Sequence, residues 1–313
     1  MNEKMDVHKI FAEYFKGAEK LAYALSAKLA EGHICVDIKS YNEELELNKN
    51  PDDRLLDKEV FDEQCTPGTY VTNSPDEFKP FVIQKGKAYL QRYFYYETSI
   101  IENIQRLAKK NNFKIITGGP GTGKTYSVAT ELVGLFIKNQ DLKVALAAPT
   151  GKAAARVNES IKNYAENPEN KLEDTIKSKL TNLRATTLHR LLGYQKDSVF
   201  FRYNENNQLP FDVVIVDECS MIDGAMMAKL LNAILDTTKL YLLGDKDQLA
   251  SVEAGSVFGD ICKAEDAPVL KNRIDLKTGS HRFDQDKGIG QFSSEVIAGT
   301  FDTISRFDND QQL

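Results

Sequence analysis

No stretch of the 313 residues stays apolar for the ~18 positions that a membrane-spanning helix needs. The opening Met1-Asn-Glu-Lys-Met-Asp6 lacks the apolar core of a signal peptide, so a cytoplasmic protein with no membrane partner is expected. Cysteine and histidine are scarce, at four each. Cys35, Cys65, Cys219 and Cys262 form no Cys-x-x-Cys pair, and His8, His33, His189 and His281 have no metal-ligand spacing. Free thiols in a reducing compartment are therefore expected rather than a zinc site. Proline is limited to nine positions, and with 42% hydrophobic and 27% charged residues this excludes a disordered or fibrous chain. A basic excess is also missing: the net charge of −6 argues against nucleic-acid binding through a bulk positive field.

The length suffices for two domains, each with its own core. Residues 1–97 carry 13 basic and 18 acidic side chains, whereas 98–313 carry 27 and 28, so most of the excess acid is N-terminal. Within 143–200 ten basic side chains stand against six acidic ones, which makes this stretch the best suited to a phosphate-backbone groove.

Residues 1–97 read as a small, mainly helical N-terminal domain whose acidity suits docking to a partner. A helical pattern runs through Phe11, Phe15, Leu21, Leu25 and Leu29 and stops at Gly32. His33 to Ile38 reads as a short strand, and 48–53 and 66–68 as loops. Tyr89, Tyr93 and Tyr96 stand at helical spacing, which fits either core packing or a base-stacking platform. From Phe113 the pattern changes to short apolar runs followed by helical stretches, the signature of an α/β domain with a parallel sheet. The runs are Phe113 to Thr117, Lys143 to Ala148, Phe211 to Asp217 and Lys239 to Asp245. Val199 to Tyr203 with Asn204 to Asn207 suggests a hairpin, and Asn163 to Lys179 a surface excursion.

Gly118, Gly119, Pro120, Gly121, Thr122, Gly123, Lys124 and Thr125 fit G-x-x-x-x-G-K-[ST] at every defined position, after a predicted strand and before a predicted helix. Glycines let the backbone turn several N–H groups into one concavity without a Cβ clash, which is what phosphates require. Lys124 is positioned to neutralise the outer phosphates of ATP and Thr125 to hold Mg²⁺, with the positive end of the helix behind them. Asp217 and Glu218 end an apolar run, where open α/β sheets bind ligands; the pair suits a Mg²⁺ anchor and a group that polarises water. Gln248, past the next run, fits a sensor of the terminal phosphate and equally a loop residue with local bonds. Thr150, Gly151 and Lys152 begin a further helix, as an anion site or a plain N-cap, and Thr187 to Arg190 is similarly ambiguous.

These motifs together resemble the superfamily-one DNA helicases, and within them the RecD family, the alpha subunits of exodeoxyribonuclease V. The pieces that carry the resemblance are 118–125, Ala148-Pro-Thr-Gly-Lys-Ala-Ala-Ala-Arg156, Thr187-Leu-His-Arg-Leu-Leu-Gly193, Asp217-Glu-Cys-Ser-Met221 and Gly244 to Gly255. Gly32-His-Ile-Cys35 and Tyr89 to Glu97 add N-terminal matches, so the similarity covers roughly 20–290. The resemblance implies a RecA-like P-loop domain over 98–275 and the start of a second motor domain over 276–313. It also implies 5' to 3' movement on single-stranded DNA in double-strand-break repair, beside nuclease/helicase and scaffold subunits of an exodeoxyribonuclease V complex. By the same pattern Gln248 couples the terminal phosphate to DNA, Arg282 in Ser280-His-Arg-Phe283 contacts phosphate, and Thr150, Lys152, His189 and Arg190 face DNA. Two features depart from the family. Ile101 stands where it places an adenine-reading glutamine, with Gln105 as an uncertain substitute. With the chain running only to Leu313, a fragment that binds nucleotide without unwinding is expected. Two alternatives are an ATP-switched structural subunit of a nuclease complex, which has no reason to respond to DNA, and an RNA helicase of the same superfamily.

Overall fold

The computed structural model describes residues 6–47, 58–198, 200–248 and 257–278. They fall into two compact units, the first of which holds 6–47, 58–101 and 223–228 and the second the remainder.

In the first unit, α1 (Val7–Glu13) and α2 (Glu19–Ala30) divide what the periodicity predicts as one helical stretch. The break falls at Gly17, whose φ of +88° is a conformation other residues adopt only with strain. Asp6 caps α1 by accepting from the backbone N–H of His8 and Lys9. No side chain caps α2 from its own N-cap residue, Ala18. Gln64, the last residue of α4 (Lys58–Gln64), reaches across instead, and its Oε1 accepts from the N–H groups of Lys20 and Leu21 at 2.7 and 3.2 Å. The predicted strand is β1 (Cys35–Asp37), and the chain turns directly into α3 (Ile38–Leu47). Three short strands complete the sheet: β2 (Val71–Thr72), β3 (Phe81–Gln84) and β4 (Lys87–Leu90), in the order β1-β4-β3-β2. Leu21, Leu25, Phe61 and Phe81 are buried in the core between helices and sheet.

Tyr89 lies in β4, buried edge-to-face against Phe94, whereas Tyr93 and Tyr96 lie on α5 (Gln91–Lys109). The three tyrosines therefore form no single helical stripe, because the backbone changes from strand to helix between them.

The second unit is built on six strands: β5 (Phe113–Thr117), β6 (Val144–Ala148), β7 (Ala185–Thr187), β8 (Val213–Val216), β9 (Lys239–Gly244) and β10 (Ile274–Leu276). Their order is β10-β5-β9-β8-β6-β7 and every pairing is parallel. All strand C-termini therefore open on one edge, the position at which α/β sheets gather their functional loops. The four runs read from the sequence are the four central strands. β7 and β10 flank them and are only three residues long.

The helices that follow are α6 (Lys124–Lys138), α7 (Gly151–Glu166), α8 (Asp174–Asn182), α9 (Leu188–Leu192), α10 (Gly224–Asn232) and α11 (Val257–Lys263). Val128, Leu132 and Phe136 of α6 pack with Val157, Ile161 and Tyr164 of α7 and Ile176 and Leu180 of α8. The stretch 163–179 is largely exposed, as expected of a surface excursion, but Tyr164, Ala165 and Ile176 tie it to this core. Pro168 only opens a short 3-10 turn, and Ile176 and Leu180, four apart, put one face of α8 into the core.

The expected hairpin is a tight turn: Val199 lies outside the described residues, and a single bridge joins Asn204 to Asn207. Asparagine side chains bond to the local backbone there, from Asn207 to the Arg202 carbonyl and to Asn204 from the Asn206 N–H, in competition with a strand ladder. Among the described residues no helix is long and apolar enough to cross a membrane.

Removing the long-range cap tests how the first unit is held. Gln64→Ala should lower the stability of that unit by about 1 kcal/mol, because two N–H groups of α2 lose their acceptor. Urea denaturation followed by far-UV circular dichroism measures it, and an unshifted midpoint would show that Gln64 is dispensable.

Candidate active site

β5 ends at Thr117, and 118–125 form the loop that turns into the first residues of α6. Gly121 and Gly123 take φ values of +79° and +78°, and Gly123 is the N-cap, so the first N–H groups of α6 open on the loop. Lys124 Nζ folds over the loop and donates to the carbonyls of Gly118 and, at 3.0 Å, Gly119. Thr122 Oγ1 donates to Gly119 O at 2.9 Å.

Gly118 is fixed from both sides. Its N–H donates to Gly244 O at the end of β9, and Lys277, just after β10, donates its N–H to Thr117 O at 2.7 Å. A Cβ at Gly118 would sit 2.5 Å from Lys277 O and 2.8 Å from Thr122 Oγ1. Only glycine fits this approach.

Asp217 follows β8 directly, and its N–H continues the ladder by donating to Ala147 O at 2.9 Å. Its Oδ1 accepts from the Glu218 N–H at 2.8 Å and its Oδ2 from Thr125 Oγ1 at 3.4 Å. Burial pushes the Asp217 carboxyl above its ordinary range, opposed by the Glu218 N–H, the Lys124 charge and the Thr125 hydroxyl. Glu218 is also raised, first by burial and then by the charge of Asp217, while Lys124 and Arg156 pull it back. Its φ of +56° and ψ of +41° place a non-glycine residue in the left-handed region, at a cost of about 1–3 kcal/mol. Cys219 beside it is wholly buried and donates to Val216 O at 3.3 Å, so the turn is anchored from below.

The loop after β9 completes the group. Asp247 N–H bonds to Asp245 Oδ1, Lys246 N–H bonds to the buried Thr117 Oγ1 at 3.1 Å, and the buried Ser220 hydroxyl donates to Gln248 Oε1 at 2.8 Å.

On the neighbouring strands, Ala148 at the end of β6 pairs with Thr187 at the end of β7. Two helix starts therefore lie side by side. Thr150 Oγ1 caps α7 by accepting from Ala153 N, and Thr187 Oγ1 caps α9 by accepting from Arg190 N. The plain capping role is satisfied at both, and Lys152, His189 and Arg190 are exposed beside them.

Of the residues singled out from the sequence, Lys124, Thr125, Asp217 and Glu218 meet in one cluster, with Gln248 tied to it through Ser220. Arg282 and residues 249–256 lie outside the described residues. Thr117 and Ser220 lie within stretches singled out from the sequence but were given no role there, and the contact of Lys277 with Gly118 had no signal, because a buried hydroxyl's partner or a backbone approach follows no spacing rule. A hydroxyl beside a carboxylate, with a cation over a glycine loop, fits Mg²⁺ carrying a nucleoside triphosphate, since that ion takes few protein oxygens and shares the rest with phosphate.

A family model described as AAA domain matches residues 101–254. The chain is 35% identical to the RecBCD enzyme subunit RecD of Mycolicibacterium smegmatis, over 96% of this chain and 58% of that protein. It is 41% identical to the Haemophilus influenzae protein of the same name, over 64% of this chain and 36% of the relative. It is 39% identical to the ATP-dependent RecD2 DNA helicase of Deinococcus radiodurans, over 50% of this chain and 18% of the relative. The chain thus spans little more than half of the first relative and less of the others.

The crowding at Gly118 yields a pair of opposite expectations. Gly118→Ala should destabilise the second unit by about 1–3 kcal/mol through overpacking against a backbone carbonyl. Gly134→Ala, in α6 with open space around it, should instead stabilise by about 0.5–1 kcal/mol. Urea midpoints of the two variants against the parent decide; shifts of the same sign would refute the contact.

Proposed function

We propose, for a chain that belongs to the RecD family of superfamily-one helicases, that it is the ATP-binding half of a DNA motor. The motor moves 5' to 3' on single strands in the cytoplasm during double-strand-break repair, beside nuclease/helicase and scaffold subunits. The observation that carries the reading is the meeting of Lys124, Thr125, Asp217 and Glu218 at one sheet edge, where a bare glycine turn would need no acid pair beside it. The relatives, subunits of the RecBCD enzyme and a DNA helicase by name, support the partners and the substrate.

In this reading the N–H groups of 118–125 cradle the phosphates of ATP, and Lys124 leaves its loop carbonyls to neutralise the outer ones. Thr125 and Asp217 would hold Mg²⁺, which when bound would supply charge to offset that of the phosphates. Glu218 polarises the attacking water, and its left-handed backbone and buried setting hold its carboxylate in a fixed orientation. Gln248 touches the terminal phosphate and relays its presence toward DNA. Thr150, Lys152, His189 and Arg190 line the path of the DNA backbone, because their two helix starts lie together on adjacent strands. Arg282 adds charge at the phosphate. A charge-neutralising arginine is worth roughly 10³–10⁵ in rate, so turnover depends on how firmly the rest of the motor holds it.

Two experiments test the reading. Lys124→Ala should abolish binding of a non-hydrolysable ATP analogue in calorimetric titration, whereas Glu218→Gln should bind it normally and lose turnover. Undiminished affinity in folded Lys124→Ala would sink the nucleotide site. For DNA, Lys152→Ala and Arg190→Ala should each weaken single-strand binding and flatten the salt dependence by about 0.7 in the log–log slope, the loss of one phosphate contact. Lys138→Ala, at the far end of α6, should do neither. Anisotropy with labelled DNA and RNA strands reads both effects. An RNA preference would favour an RNA helicase, and ATP turnover indifferent to either nucleic acid would favour a structural switch.

A further inference from the structure

We propose that Ser220 is a positioning residue for Gln248, setting which end of its side-chain amide faces the nucleotide; the inference rests on the reading of Gln248 given above. Phosphate oxygens only accept hydrogen bonds, so a glutamine that senses phosphate must present its Nε2–H groups. Its Oε1 must then face the protein and find a donor there. Ser220 supplies one, with Oγ 2.8 Å from Gln248 Oε1. The hydroxyl is not free to wander: Ser220 is 7% exposed and follows Cys219, which is wholly buried. The backbone of the loop is held separately, by Thr117 Oγ1 on Lys246 N and by Asp245 on Asp247 and Gln248. The exposed Gln248 side chain is steadied by Ser220. Because Ser220 stands two residues after Glu218, one hydrogen bond joins the turn that activates water to the loop that senses phosphate. A free amide would rotate and present either end. Fixed by Ser220, it offers its donors to the phosphate alone.

The test uses the full-length protein that carries this chain, with Ser220→Ala, Gln248→Ala and the double variant, in steady-state ATP turnover with and without single-stranded DNA. Ser220→Ala should lower the DNA-stimulated kcat about tenfold while the KM for ATP stays within about twofold, a loss confined to the step that Gln248 serves. The double variant should be no slower than Gln248→Ala, because Ser220 acts only through that side chain. Ser220→Cys, nearly the same size with a weak donor, should recover part of the rate. Binding of an ATP analogue serves as the folding control, and it also covers the possibility that alanine disturbs the turn, since Ser220→Cys still reports. Multiplicative losses in the double variant, or full DNA stimulation in Ser220→Ala while Gln248→Ala remains slow, overturn the positioning role alone. Full activity of Gln248→Ala overturns the sensor reading, and the positioning role with it.

Discussion

Asp217 is a half-buried carboxylate whose charged form burial disfavours, and the loops at this edge of the second unit are arranged around the groups that compensate it. Three groups do so: the Glu218 N–H, the Thr125 hydroxyl and the Lys124 charge. Lys124 and Thr125 arrive together at the start of α6 and the Glu218 N–H from the turn after β8, and the parallel sheet brings the two segments together by ending β5 and β8 on the same edge. The Glu218 N–H reaches the carboxylate within a turn that holds Glu218 in the left-handed region. The local strain is therefore tied to the same bond that satisfies the half-buried acid.

Small buried groups then couple the loops to one another. Thr117, the last residue of β5, accepts from the Gln248 loop through Lys246 N, and Ser220 donates to the same loop from the other side. Gly118 is pressed between the end of β9 and the backbone after β10. The loop at 118–125 is thus bonded to the Gln248 loop through Thr117 and to the backbone after β10 through Lys277.

The first unit obeys the same rules at lower stakes. Gln64 caps α2 across the unit, and Leu21, Leu25, Phe61 and Phe81 close a core between helices and a four-stranded sheet. Burial pushes the Cys65 thiol up to about 12, so this cysteine behaves as an apolar group in that core. Most of the excess acid in the sequence belongs to this unit, while the basic stretch 143–200 belongs to the other.

Where an element or a turn is set by adjacent residues, the sequence located it. The glycine loop at 118–125, the acid pair after an apolar run and the four central strands are all local patterns, and each is legible because phosphate binding and strand burial constrain adjacent residues. Local pattern failed where the deciding partner is distant or the element short. The break at Gly17, the placement of Tyr89 in a strand and the burial of Tyr164, Ala165 and Ile176 within an otherwise exposed stretch each depend on what packs against them. The edge strands β7 and β10, at three residues, are too brief to carry a periodicity. Ser220 and Thr117 show the difference most clearly. A serine after Asp217-Glu218-Cys219 is only a serine until the sheet sets β8 beside β9 and leaves its hydroxyl 2.8 Å from an amide 28 residues away. Residue types and spacing determine what chemistry a chain can perform; which polar groups are buried, and against whom they must be satisfied, is decided only when the strands are laid side by side.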